Sequence, residues 1–290
     1  MAGRLAENLA EAEGTRRAPG KPSAMFVRIR TAAALAVIAA GLGAAPLAVR
    51  ADDGVATIKA RGSMIVGVKA DYPPFGFLDG DKNVGLEIDL LHDIAKDLLG
   101  KPDAIQFVPV VAGNRFQYLN TGKVDFLFST VTITEQRKAV VDFSDPYMKS
   151  GWQLLVKRAN SSISDIAGLA GKTVIVVPGT TAEAGVARLA PTANLLKLAQ
   201  TSEALAALEQ GRADAFAQDA ALLYGLEQQH PQFKVVGPST DDMPIGAACR
   251  KGDSAACDYI SKEVAKFRRD GTLAREYKKW LYGAASRFMP

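Results

Sequence analysis

Arg137 is the residue whose type and setting say most about chemistry. Its planar guanidinium can hold a carboxylate through two parallel hydrogen bonds, which a lysine ammonium cannot do. It stands five residues after Thr132 and three after Thr134, and Thr134 is placed to N-cap the short helix that would carry Arg137. A plainer reading makes Arg137 half of a surface ion pair with Glu135 or Asp142. Gly179-Thr180-Thr181 is a loop that enters an alanine-rich helix, so its backbone N–H groups can donate to an anion. A tight turn alone would also account for the glycine, and the segment fits no phosphate-loop pattern. Asp219 carries the opposite charge, either to receive a cation such as an ammonium or to cap the helix that begins at Ala220.

Other chemistries find little support. No serine or cysteine nucleophile motif, carboxylate pair or cofactor loop stands out, so neither a cofactor nor a catalytic residue is expected. Cys249 and Cys257 are the only cysteines. Their spacing excludes a CxxC site and leaves two outcomes open, a disulfide or two thiols. With only His92 and His230 besides, no metal site is expected.

The elements that must position these residues belong to a chain of 290 residues, 48% hydrophobic and 23% charged, which is ordinary for one or two globular domains. Residues 32–49 are almost all small and apolar, follow Arg28 and Arg30, and are broken by Gly41, Gly43 and Pro46. That pattern reads as a secretory signal over about 25–51 cut after Ala51, with Met25 as an alternative start and residues 1–24 disordered. Residues 1–51 hold seven of the 35 Lys/Arg and three of the 31 Asp/Glu, leaving 28 of each. The pI of 9.0 therefore comes from the targeting segment. No nucleic-acid partner is expected.

Residues 64–69 predict a buried strand, followed by a loop at 70–77 because Pro73 and Pro74 cannot donate to a ladder. Leu91, Ile94, Ala95 and Leu98 form a helix stripe that stops at Gly100. His92 lies off it and is read as a solvated helix residue. Residues 173–190 repeat the strand-loop-helix rhythm. Leu119-Asn-Thr-Gly122-Lys123-Val124-Asp125 is echoed by Leu208-Glu-Gln-Gly211-Arg212-Ala213-Asp214, each a helix end, a glycine cap and a return into a strand, the second over 213–217. Duplicated units of this kind imply two lobes built on parallel sheets with helices on both faces. Ligands sit at the carboxyl ends of such strands, here the loops at 70–77, 128–134, 178–182 and 217–220.

Over 64–283 the chain resembles the family-3 extracellular solute-binding proteins, the polar amino-acid receptors of ABC importers. The resemblance rests on VGVKADYPPFGF, GLEIDLLHDIAKDL, GKVDFLFSTVTITEQRKAVVDFSDPY, DIAGLAGKTVIVVPGTT, GRADAFAQD and RRDGTLAREYKKW, in this order. It implies an α/β, two-lobed periplasmic binding protein fold of type II. Each lobe is then a mostly parallel sheet flanked by helices, and two hinge strands join them near Gly151 to Val156 and Pro244 to Ala248. Lobe 1 is 52–150 plus 247–290, and lobe 2 is 151–246. The protein is then a periplasmic monomer that binds a free amino acid and presents it to importer membrane subunits.

The resemblance also implies roles. Thr132 and Arg137 match the α-carboxylate site, completed by Gly179, Thr180 and Thr181, Asp219 matches the anion for the α-ammonium, and Thr130 is a further expected ligand-binding residue. Tyr72 matches an aromatic over the ligand side chain, and Phe116 could form the other wall. Lys69 stands where basic-amino-acid receptors carry an acid, and Arg115 resembles an arginine that grips a side-chain carboxylate. Two such cations favour an acidic ligand, closest in motif to aspartate/glutamate receptors. Should Lys69 point away and Arg115 pair with Asp125 or another acid, the pocket would suit glutamine or polar amino acids broadly. An enzyme resembling the periplasmic cyclohexadienyl dehydratases is the rival on the same fold.

Overall fold

The computed structural model describes residues 53–281 and 285–289; the expected signal and its cleavage after Ala51 lie outside them. The chain runs through α1 (Gly54–Arg61), β1 (Met64–Val68), β2 (Asp71–Tyr72), β3 (Gly76–Asp79), β4 (Lys82–Val84), α2 (Leu86–Leu99), β5 (Ile105–Pro109), α3 (Arg115–Asn120), β6 (Phe126–Thr132), α4 (Glu135–Lys138), β7 (Val141–Phe143) and β8 (Met148–Lys157). It continues through β9 (Thr173–Val176), α5 (Thr181–Leu189), β10 (Asn194–Lys197), α6 (Thr201–Glu209), β11 (Ala215–Asp219), α7 (Ala220–Gln229), β12 (Phe233–Arg250), α8 (Ser254–Arg269), α9 (Thr272–Trp280) and α10 (Ala285–Phe288).

The larger sheet follows the order β10-β9-β11-β8-β12-β6-β1-β5, with β7 added on β12. Parallel pairs lie toward both ends, β1 with β5 and β6, and β9 with β10 and β11. The middle is antiparallel, because β8 and β12 pair with each other and with their neighbours β11, β6 and β7. The two expected parallel sheets are therefore the wings of one mixed sheet, and the two long strands join them. Both expected crossing segments lie within those strands.

Alternation explains why the strands read as nearly unbroken apolar runs. In β9, Val174 and Val176 pack into one cluster while Ile175 faces another; in β11, Ala215 and Ala217 oppose Phe216 in the same way. In β6, Phe126 and Phe128 face one cluster while Leu127 and Val131 face a third. A strand with helices over both faces has no solvent side, so every second residue cannot be polar.

The duplicated turn is reproduced bond for bond. Gly122 and Gly211 take φ 73° and 72°, a left-handed conformation open to glycine without a Cβ penalty. Lys123 N–H donates to Tyr118 O and Arg212 N–H to Ala207 O, both at 2.9 Å. Asp125 then accepts from Ile65 N–H at 2.7 Å, and Asp214 from Thr173 N–H at 2.8 Å, each stitching a turn to the strand it returns beside.

Three local expectations are corrected. Residues 70–77 leave the main sheet but form their own three-stranded sheet, β2-β3-β4. Residues 128–132 are strand, because β12 supplies an antiparallel partner from far along the chain. The second return strand is 215–219 rather than 213–217, so Asp219 ends it instead of following it. His92 is held through Nδ1, which lies 2.8 Å from Pro102 O. Cys249 and Cys257 form a disulfide with Cα atoms 5.9 Å apart, pinning the end of β12 to α8.

Candidate functional site

Four strand ends converge on one cavity. Lys69 follows β1, Thr130 and Thr132 lie at the end of β6, Thr180 and Thr181 follow β9, and Asp219 ends β11. With Tyr72, Ala112, Arg115, Arg137 and Gln218, these residues line one cavity. Nine of the eleven expected binding residues meet there. Phe116 and Gly179 do not line it; they belong to the wider outer cleft beside it, together with Arg137, Thr180 and Thr181.

Arg137 has neither of the surface partners first considered, since Glu135 pairs with Lys138 and Asp142 with Lys251. Thr134 caps its helix as expected, accepting from Arg137 N–H at 3.2 Å. The guanidinium instead donates to Thr132 O at 2.8 Å and to Gly179 O at 3.0 Å, one arm to each wing of the sheet. Asp71 makes a second such bridge, accepting from Thr201 N–H at 2.6 Å. At Gly179, φ is +82° and an added Cβ would stand 3.0 Å from Ala112 O. Only glycine lets this loop come so close to the opposite wing.

Asp219 caps a helix and lines the cavity. Its Oδ1 caps α7, accepting from Ala221 N–H at 3.0 Å, and also accepts from Ser150 Oγ at 2.9 Å. The carboxylate nevertheless lines the cavity, so capping and cavity charge are one placement.

The remaining wall is cationic. Lys69 is buried beside the Tyr72 ring, 5.2 Å from Nζ to the centroid. Burial first, then repulsion from Arg115, pushes its ammonium down to about 7, against the pull of Asp71 and Glu87. Arg115 is not paired with Asp125, which binds Arg61. It donates through Nη1 to Ser129 O at 3.0 Å, while its buried Nε has no protein partner. Burial lowers Arg115 to about 9 and Arg137 to about 10, and both remain cations at neutral pH. The Phe116 ring lies 5.3 Å and 5.9 Å from the guanidinium carbons of Arg115 and Arg137.

Gln218 escaped the sequence reading. Its Oε1 accepts from Asp219 N–H at 2.9 Å, leaving a buried Nε2 donor without a protein partner on the cavity wall. A polar residue inside the otherwise apolar AFAQ strand was the available signal. Among the described residues, no group of three or more His, Cys, Asp or Glu could hold a metal ion.

The model of the bacterial extracellular solute-binding proteins, family 3, matches residues 64–283. The chain belongs to that family. The ABC transporter glutamine-binding protein GlnH of Bacillus subtilis is 37% identical over 232 residues, 79% of this chain and 85% of its own. An L-glutamate/L-aspartate-binding protein of Pseudomonas aeruginosa is 30% identical over 259 residues, 85% of each chain. Among solved structures, the solute receptor for L-cysteine of Neisseria gonorrhoeae superposes with a TM-score of 0.78 at 37% identity, covering 81% of this chain and 99% of that one. This family-3 protein therefore has the two-lobed type II fold, and its cavity lies where the wings meet.

Proposed function

We propose that this protein is the extracytoplasmic, periplasmic substrate-binding component of an amino-acid ABC importer, and that it captures a free amino acid with an acidic side chain by hinge closure. The carrying observation is that Arg137 and Asp219 share one cavity whose remaining charged wall is Lys69 and Arg115. Arg137, Thr132, Thr180 and Thr181 suit an α-carboxylate, and Asp219 suits an α-ammonium. The second carboxylate of glutamate or aspartate would then meet two buried cations, where a lysine or arginine side chain would meet like charge.

We take the lobes as 52–150 with 247–290 and 151–246, β8 and β12 serving as hinges. Contacts from both wings to one ligand favour the closed form, which the importer's membrane subunits would recognise. The protein is on this reading a receptor rather than an enzyme, since the polar groups on the wall are occupied in binding a zwitterion.

Glutamine is the second reading, favoured by the 37% identity to a glutamine-binding relative. Calorimetric titration of residues 52–290 with glutamate, aspartate, glutamine and cysteine tests both. Tightest binding of a dicarboxylic amino acid supports the proposal, tightest binding of glutamine replaces it with the second reading, and turnover of prephenate or arogenate would make the protein an enzyme.

A further inference from the structure

Thr130 is the only non-glycine residue with positive φ among the described residues, at +49°. A β-branched residue there is a genuine outlier, and such an outlier persists only where its surroundings hold it. It also lines the ligand cavity. The ladder between β6 and β12 shifts register opposite this stretch, between Gly246 and Ala248, so regular strand pairing does not hold Thr130.

Two buried side chains hold it instead, one at each end of a single peptide unit. The Ser129 carbonyl accepts from Arg115 Nη1 at 3.0 Å, and the Thr130 N–H donates to Glu87 Oε1 at 2.7 Å. Glu87 lies in the first turn of α2, fully buried and outside the cavity lining. Its Oε1 also accepts from the Tyr147 hydroxyl, whose ring stacks on Phe128 at 4.6 Å. Besides Thr130 N–H, the acceptor is thus held by a hydroxyl whose ring is itself packed in the core.

We infer that Glu87 is a positioning residue for ligand recognition, holding the Ser129–Thr130 peptide in the turned-over orientation that presents Thr130 to the cavity. The inference rests on the proposed reading that this cavity takes an amino acid. Arg115 consequently has two roles, one arm on the backbone and the rest of its guanidinium toward the cavity. Without the Glu87 acceptor, Thr130 relaxes to an ordinary strand conformation, and a ligand must restore the kink when it binds.

The test is a double-mutant cycle read by calorimetry with L-glutamate and L-glutamine as probes. Glu87→Met should weaken binding of whichever probe the wild type takes by about ten- to hundredfold, the scale of a strained backbone outlier. Glu87→Gln keeps the acceptor and should stay within about threefold of wild type. In a Thr130→Gly background, where positive φ carries no Cβ penalty, Glu87→Met should cost less than about threefold. An equal loss in both backgrounds, or a Gln variant as weak as the Met variant, overturns the inference. A crystal structure of Glu87→Met reads the clamp without ligand: Thr130 at negative φ supports it, and an unchanged +49° overturns it. If none of glutamate, aspartate, glutamine and cysteine binds the wild type while Thr130 relaxes in that crystal, the ligand reading fails and the clamp stands.

Discussion

Binding of an acidic amino acid should draw a proton onto Lys69, and the size of that uptake can be worked from the cavity. In this structure the Lys69 ammonium stands at about 7 against an ordinary 10.5, so at pH 8 about nine-tenths of the molecules in this conformation carry it neutral. A ligand carboxylate about 4 Å from Nζ would favour the charged form by about 4 kcal/mol at an effective dielectric constant near 20, equivalent to about three pH units. Binding of glutamate should therefore take up about half a proton at pH 7 and about nine-tenths between pH 8 and 9, where its affinity should fall by about eightfold. Glutamine brings no second anion and should show neither effect. Glu87, raised to about 7 chiefly by burial, would be pushed the same way by a bound anion. The Lys69→Met variant is the control, expected to lose most of the uptake at pH 8.5. Calorimetry in buffers of different ionisation enthalpy counts the protons directly. A glutamate affinity constant from pH 6.5 to 8.5, with no buffer dependence, would refute the placement of an acidic side chain against Lys69.

Four further outcomes follow from the geometry. Asp219→Asn should weaken ligand binding by about tenfold or more while changing stability by less than about 1 kcal/mol, because asparagine still caps α7; Asp219→Ala should lose both, as chemical denaturation read beside titration would reveal. Arg137→Lys should reduce affinity by about a hundredfold, since one ammonium cannot reach Thr132 O, Gly179 O and a carboxylate from a single planar fork. Gly179→Ala should weaken binding by about tenfold and raise the radius of gyration of the ligand-saturated protein in X-ray scattering, because its Cβ would meet Ala112 O only when the wings are together. Replacing Cys249 and Cys257 by serine should lower unfolding free energy by about 2–3 kcal/mol, the closure entropy of so short a loop, with ligand affinity unchanged.

What the sequence revealed and what it concealed divide by the range of the interactions involved. The duplicated turns were legible because a glycine at positive φ, a basic residue and a returning aspartate are all fixed within seven residues of each other, and Asp125 and Asp214 repeat one bond pattern in space. The cavity was legible because ligand groups gather at strand ends, and strand ends announce themselves by Thr-rich or Gly-containing exits. The central mixed sheet was not, because β8 and β12 acquire antiparallel partners from roughly 70 to 120 residues away and their own residues carry no sign of direction. Nor were the roles of Gln218 and Glu87, for different reasons. Gln218 was visible as a polar residue in an apolar strand, yet only the fold says which face it takes. Glu87 sits in GLEIDLL, where a first-turn glutamate already has an adequate local explanation in the helix dipole. That local sufficiency hid a long-range contact. The carboxylate reaches 43 residues along the chain to Thr130, and it is free to do so only because α2 is packed so that the side chain never meets water. A buried carboxyl in an amphipathic helix that already has enough leucine and isoleucine to anchor it is better explained by what it holds than by the helix that carries it.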